Sequence, residues 1–196
     1  MPPAVSLALD KGTVLHNRSF GRHPNCTCTW HDQNSSCTHG TYTGRDMAEV
    51  AQWSSMTILD YITANYDRAA SSLHTRSSIR NVGQTSRGKF WLFDNEAAFF
   101  LSYQLLHQGS PAGKWLERAH SRLLRSTCVF QQNVIQSVLK LQRSSDPADV
   151  LEEYVRVHEP LYDHVTVEND ASELLREFFP RRLRDVVDWI RHCQVM

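Results

Sequence analysis

Two acidic residues sit where chemistry could use them. Asp67, followed by its basic neighbour Arg68, ends the segment Asp60-Tyr61-Ile62-Thr63-Ala64-Asn65-Tyr66-Asp67-Arg68, which closes a long apolar stretch. Asp94 comes straight off an apolar run in Phe90-Trp91-Leu92-Phe93-Asp94-Asn95-Glu96. Carboxylates presented this way, 27 positions apart (94 − 67), suit a site where one orients a nucleophile and the other holds a metal ion. Phosphoryl transfer in kinases uses that pair: one Asp accepts the proton of the substrate hydroxyl and a second binds Mg²⁺ or Mn²⁺. Residue types alone also allow plainer roles. Asp67 fits a solvated acid at a helix end, paired with Arg68 or Lys89, and Asp-Asn is a common turn pair.

The elements that must position these groups are mostly helical. A long helix is predicted from Asp46, because Met47, Val50, Ala51, Ser54, Ile58, Tyr61 and Ile62 recur at helical spacing. Trp53, Met56 and Leu59 give it a second apolar face, the mark of a helix buried in a larger assembly. Residues 68–88 are polar and loop-like, and 89–93 form a short apolar strand. Leu116, Ala119, Leu123, Phe130, Val134, Val138 and Leu141 then mark one or two helices broken near Ser126. Asp146 and Pro147 fit the N-cap and first residue of a helix that ends before Pro160. A last helix begins around Leu174, Leu175 and Phe178, is expected to kink or split at Pro180, and resumes with Leu183, Val186, Val187 and Ile190. Upstream, residues 5–9 and 13–15 with the turn Asp10-Lys11-Gly12 suggest a hairpin. A polar stretch over 17–44 reads as a surface loop.

The chain has 196 residues and no net formal charge, so it fits one domain without a bulk pull toward nucleic acid or anionic membrane. No apolar run approaches the roughly 18 residues of a membrane-spanning helix. The sequons at Asn17, Asn25 and Asn34 fall close together in the polar stretch, and five cysteines carry no redox motif. Both features fit an oxidising, secretory compartment. The start, Met1-Pro2-Pro3-Ala4-Val5, lacks the regions of a signal peptide, so the chain is expected to be a piece of a longer protein. Cys26, Cys28 and Cys37 with His31 and His39 could bind Zn²⁺, although their spacing fits no standard zinc pattern. There is no His-Glu-x-x-His or Gly-x-Ser-x-Gly motif, so metalloprotease and serine-hydrolase chemistry have no support.

Several segments together carry a resemblance: Gln52-Trp53, residues 59–68, Leu92-Phe93-Asp94-Asn95-Glu96-Ala97, Ser126-Thr127-Cys128-Val129-Phe130 and His192-Cys193. In this order, from about Ala48 to Cys193, the sequence resembles the four-jointed family of secretory-pathway protein kinases, relatives of the Golgi casein kinase. The resemblance implies that Asp67 is the catalytic residue and Asp94 the metal ligand. Asn65 would brace the loop by hydrogen bonding, and Arg68 would balance local charge or lie at the surface. It also implies a disulfide between Cys128 and Cys193, with two free buried cysteines as the alternative. One departure stands out. Protein kinases place an Asn five residues after the catalytic Asp to bind a second metal ion, and Ser72 occupies that slot here. A neutral, shorter side chain weakens that ligand.

The expected fold is therefore α+β and mostly α-helical: residues 1–45 a short hairpin plus a glycosylatable loop, and 46–196 the C-terminal lobe of a kinase-like fold. The N-terminal lobe is expected to be largely missing, since Lys11 and Lys89 are the only lysines before Asp94 and neither follows a glycine-rich loop. The implied function is a Golgi-lumenal or extracellular Ser/Thr kinase with ATP as donor and Mn²⁺ or Mg²⁺ as cofactor. Its implied substrates are extracellular cadherin repeats of the Fat and Dachsous type, in planar polarity and growth signalling. No nucleic-acid partner and no membrane segment are expected. The rival is a non-catalytic pseudokinase or binding module, favoured by Ser72 and the missing lobe; a secreted zinc-binding loop protein is a third option.

Overall fold

The computed structural model describes residues 44–72, 79–160 and 169–195. The expected hairpin, the sequons Asn17, Asn25 and Asn34, and the cluster of Cys26, Cys28, Cys37, His31 and His39 lie outside the described residues. What is described is mostly helical with one small sheet, in agreement with the expected α+β character. Helix α1 (Gly44–Thr63) leads into a π-helical turn, Tyr66–Ala70. Strands β1 (Val82–Gln84) and β2 (Phe90–Leu92) follow, then helices α2 (Phe100–His107), α3 (Pro111–Leu124), α4 (Gln132–Gln142), α5 (Pro147–His158) and α6 (Asn169–Val195).

Local chemistry explains where α3 and α5 start. Ser110 caps α3 by accepting from Gly113 N at 3.1 Å, with Pro111 at the first position where its missing N–H is harmless. Asp146 caps α5 in the expected way, accepting from Ala148 N at 2.8 Å ahead of Pro147. The break near Ser126 also stands: α3 ends at Leu124 and α4 begins at Gln132.

Helix α6 is the spine, packing against α1, α2, α4 and α5. Its buried face of Phe178, Phe179, Leu183, Val186, Val187 and Ile190 meets Ile58, Tyr61, Ile62, Tyr103, Leu124, Ile135 and Val138. Each such side chain contributes about 1.5–3 kcal/mol on burial. That sum explains a difference from expectation: α6 is one 27-residue helix that runs through Pro180 instead of splitting there. An interior proline costs about 3 kcal/mol, which packing along both halves of the helix exceeds. A second cluster of Met56, Ala69, Ala70, Leu116, Ala119 and Leu123 wedges the π-helical turn between α1 and α3. The disulfide between Cys128 and Cys193 forms as expected, with Cα atoms 5.4 Å apart, and ties the segment after α3 to the last turn of α6.

Two stretches depart from the sequence reading. Residues 68–88 are not wholly loop: the helical path continues to Ser72, and β1 pairs antiparallel with β2, Val82 opposite Leu92 and Gly83 opposite Trp91. Helix α2 has too few residues to display a period. It is held through tertiary contacts, with buried Tyr103 donating from its hydroxyl to Ile62 O at 2.6 Å.

Candidate functional site

The turn that carries Asp67 is built by the residues just before it. Ala64 adopts φ 56° and reverses the chain at the end of α1. Asn65 N then donates to Asp60 O at 2.9 Å, while Asn65 Oδ1 accepts from Asp67 N at 3.1 Å. Buried Asn65 is thus the N-cap of the π-helical turn, the bracing role expected of it. Asp67 lies in the first turn of this element and is half-buried. It is on a π-helical turn, where the sequence suggested a loop. Its Oδ2 accepts from Asn81 Nδ2 at 3.2 Å.

Of the two placements expected for Arg68, the surface one falls, because its side chain is fully buried, and charge balance is what the side chain does there, against Asp60. Nη1 pairs with Asp60 Oδ1, Nη2 bonds to Asn95 Oδ1 and, at 3.4 Å, to Phe93 O, and Nε donates to Asn81 O at 3.3 Å. The planar guanidinium suits this fork because its donors are rigidly arranged. Asn81 O also accepts from Phe93 N at 3.2 Å. Arg68 and Asn81 therefore join the Asp67 turn to the loop after β2. Asp94 stands between Phe93, held at both its N–H and its carbonyl, and Asn95, held through its side chain; its own side chain is exposed.

Among the described residues, Ala64, Asn81, Asp94 and Phe99 are the non-glycine residues with positive φ, at 56°, 58°, 53° and 56°. All four lie in or beside this assembly, and Phe99 N donates to Thr63 O at 2.6 Å where α1 ends. Such conformations cost on the order of 1–3 kcal/mol each and persist where the surroundings over-determine them. Burial pushes the Asp60 carboxyl up to about 7, against the opposing pull of Arg68. A hydrogen bond from the Ala69 backbone pulls the same way as Arg68 and is likewise outweighed by burial.

Ser72 is buried, and its hydroxyl donates back to Arg68 O at 3.0 Å, along its own helix. Among the described residues no three His, Cys, Asp or Glu side chains converge as a metal cluster. Asp67 and Asp94 still offer hard carboxylate oxygens, the donor type of Mg²⁺ and Mn²⁺, whose sites borrow substrate phosphates for the remaining positions. Sequence reasoning missed Asn81 entirely and gave Asp60 no role, although Asp60 stands in the same segment as Asp67. Nothing in the local pattern marks Asn81. It matters because the fold brings it against both loops.

A family model described as the four-jointed box protein middle domain matches residues 13–196, and the chain belongs to the four-jointed box family. The chain is 30% identical over 157 residues to human "Four-jointed box protein 1", covering 76% of this chain and 34% of that protein. It is 32% identical over 127 residues to the protein of the same name from Xiphophorus maculatus, covering 61% and 28%. It is also 30% identical over 105 residues to the Drosophila melanogaster "Extracellular serine/threonine protein kinase four-jointed", covering 49% and 17%. The chain spans about a third of the length of the first of these relatives. No solved structure matches. Among the described residues no helix is long and apolar enough to cross a membrane.

Proposed function

We propose that this chain is the C-terminal-lobe portion of a secretory-pathway Ser/Thr protein kinase of the four-jointed type. The observation that supports it most is the Arg68–Asn81 scaffold, which ties the Asp67 turn to the Asp94 loop. The name of the Drosophila relative points the same way. Asp67 orients the acceptor Ser or Thr hydroxyl and takes its proton as the phosphoryl group arrives. Hydrogen bonding by Asn81 aims that carboxylate. Asp94 would hold Mn²⁺ or Mg²⁺ against the phosphates of ATP, where the ion supplies charge neutralisation. The substrates are Ser/Thr residues of extracellular cadherin repeats of the Fat and Dachsous type, and the role lies in planar polarity and growth signalling. The compartment is the Golgi lumen or the extracellular space, in keeping with the Cys128–Cys193 disulfide.

The rival reading, a non-catalytic pseudokinase or docking module, draws on Ser72, whose hydroxyl is engaged with Arg68 O in the second-metal slot. The test is phosphate transfer from ATP in Mn²⁺ to a cadherin repeat by the full-length protein. Transfer that Asp67→Asn abolishes, with melting temperature retained, supports the kinase. A wild type that binds the repeat and never phosphorylates it supports the rival.

A further inference from the structure

The turn that carries Asp67 is held from beneath by two buried side chains distant in sequence. Asn65 O lies 3.0 Å from His120 Nε2, and His120 Nδ1 lies 3.0 Å from Arg182 Nη2. A guanidinium has donors only. Nδ1 must therefore accept, and Nε2 carries the proton donated to Asn65 O. Arg182 thus selects the tautomer that grips the N-cap of the turn. His120 and Arg182 are 1% and 0% exposed, so these bonds are shielded from bulk solvent.

Arg182 also holds the other side of the reversal. Its Nε donates to Tyr61 O, and its Cζ lies 4.1 Å from the centre of the Tyr61 ring. Its Nη1 donates to Glu117 Oε2 at 2.6 Å, which anchors the guanidinium to α3. One side chain of α6 therefore grips the last turn of α1 directly, through Tyr61 O, and Asn65 O through His120. Ala64, with φ 56°, lies between those two carbonyls. A residue with a Cβ does not hold that conformation unaided. Burial and the neighbouring Arg182 charge both drive His120 down, to about 3, so the ring is neutral at working pH and the direction of the relay does not change.

We propose that His120 and Arg182 are positioning residues: they set the Asp67 turn against α1, and so fix how the Asp67 carboxylate meets the acceptor hydroxyl. The proposal rests on the kinase reading above for its catalytic consequence, while its geometric part can be tested separately. The experiment compares His120→Phe with His120→Gln in the full-length protein. Phe keeps much of the ring shape and removes both bonds. Gln restores an acceptor toward Arg182 and a donor toward Asn65 O. In His120→Phe, kcat for phosphate transfer should fall roughly tenfold to a hundredfold, the scale of a misplaced catalytic group, with KM for ATP unchanged. His120→Gln should recover most of the loss. Amide hydrogen exchange of Asp67 and Arg68 should quicken in the Phe variant and not in the Gln variant. If His120→Phe is not secreted, Arg182→Lys replaces it, since an ammonium cannot bond Tyr61 O, Glu117 and His120 in one fork; the same local exchange is expected. Wild-type kcat and exchange in the Phe variant overturn the proposal, as do equal losses in the Phe and Gln variants. If the wild type transfers no phosphate, the kinase reading falls, and hydrogen exchange alone decides whether the relay holds the turn.

Discussion

A carboxyl group buried beside a guanidinium leaves a pH signature. The folded-state pKa of Asp60 is raised from 3.8 to about 7. Between those values the folded chain keeps a proton that the unfolded chain has released. This group's contribution to stability is therefore fully present below pH 3.8, declines as pH rises, and is lost above about pH 7. Relative to Asp60→Asn, the wild-type melting temperature should fall across that interval, and parallel melting curves of the two proteins from pH 4 to pH 7 would refute the assignment. Asp94 makes a second residue-scale case, because φ 53° is a conformation that glycine adopts freely. Asp94→Gly should raise stability by up to about 1 kcal/mol while abolishing phosphate transfer. Urea midpoints and the transfer assay check the two halves independently. A drop in the midpoint would mean that the Asp94 side chain does structural work.

At the scale of elements, the contact between α2 and α3 depends on one missing side chain. A Cβ on Gly113 would lie 2.2 Å from Leu105 O and 3.0 Å from Leu105 C, both backbone atoms of α2 that cannot rotate away. Gly113→Ala should therefore force the helices apart and destabilise the fold by about 1–3 kcal/mol. Ser110→Ala, three residues earlier, removes only a cap and should cost about 1 kcal/mol. Chemical denaturation of both variants tests the order. Equal losses would show that α2 and α3 separate without strain. The same elements show where sequence patterns were legible. Asp146-Pro147 announced the start of α5 because capping is a local event. Pro180 does not split α6, one of the two outcomes expected of it, because its local penalty is set against burial along a 27-residue helix, which no short window contains.

On the scale of the whole molecule, the Cys128–Cys193 disulfide closes a loop of 65 residues. Chain entropy assigns such a crosslink about 4 kcal/mol. Replacing both cysteines with serine should lower the unfolding free energy by about that amount, and a loss below about 1 kcal/mol would show that packing of α6 suffices without the crosslink. A further expectation concerns the 196-residue chain expressed alone with its disulfide formed. Kinase catalysis is largely positioning plus electrostatics, and it needs a phosphate-binding lysine and a glycine-rich cover as well as two carboxylates. Neither motif is recognisable before Asp94, so this chain alone should not phosphorylate a cadherin repeat. Robust Asp67-dependent transfer by the isolated chain in Mn²⁺ would reveal a nucleotide site within residues 1–45.

The sequence by itself determined the family and the helical character, because each is written in contiguous residues: 59–68, 92–97, the capping pairs and the apolar periods. Resemblance also implied the Cys128–Cys193 disulfide, with two free cysteines left open beside it, and the structure forms the bond. Only the tertiary structure decided what holds the acidic positions in place. Arg68 became a buried fork because the end of α1 and the loop after β2 both close over it. Asn81 became a bridge because β1 pairs with β2 and brings it onto Asp67. His120 and Arg182 reach Asn65 from 55 and 117 positions away (120 − 65 and 182 − 65). Hydrogen bonds over such separations leave no period and no local motif, since they depend on helix packing that sets which side chains meet.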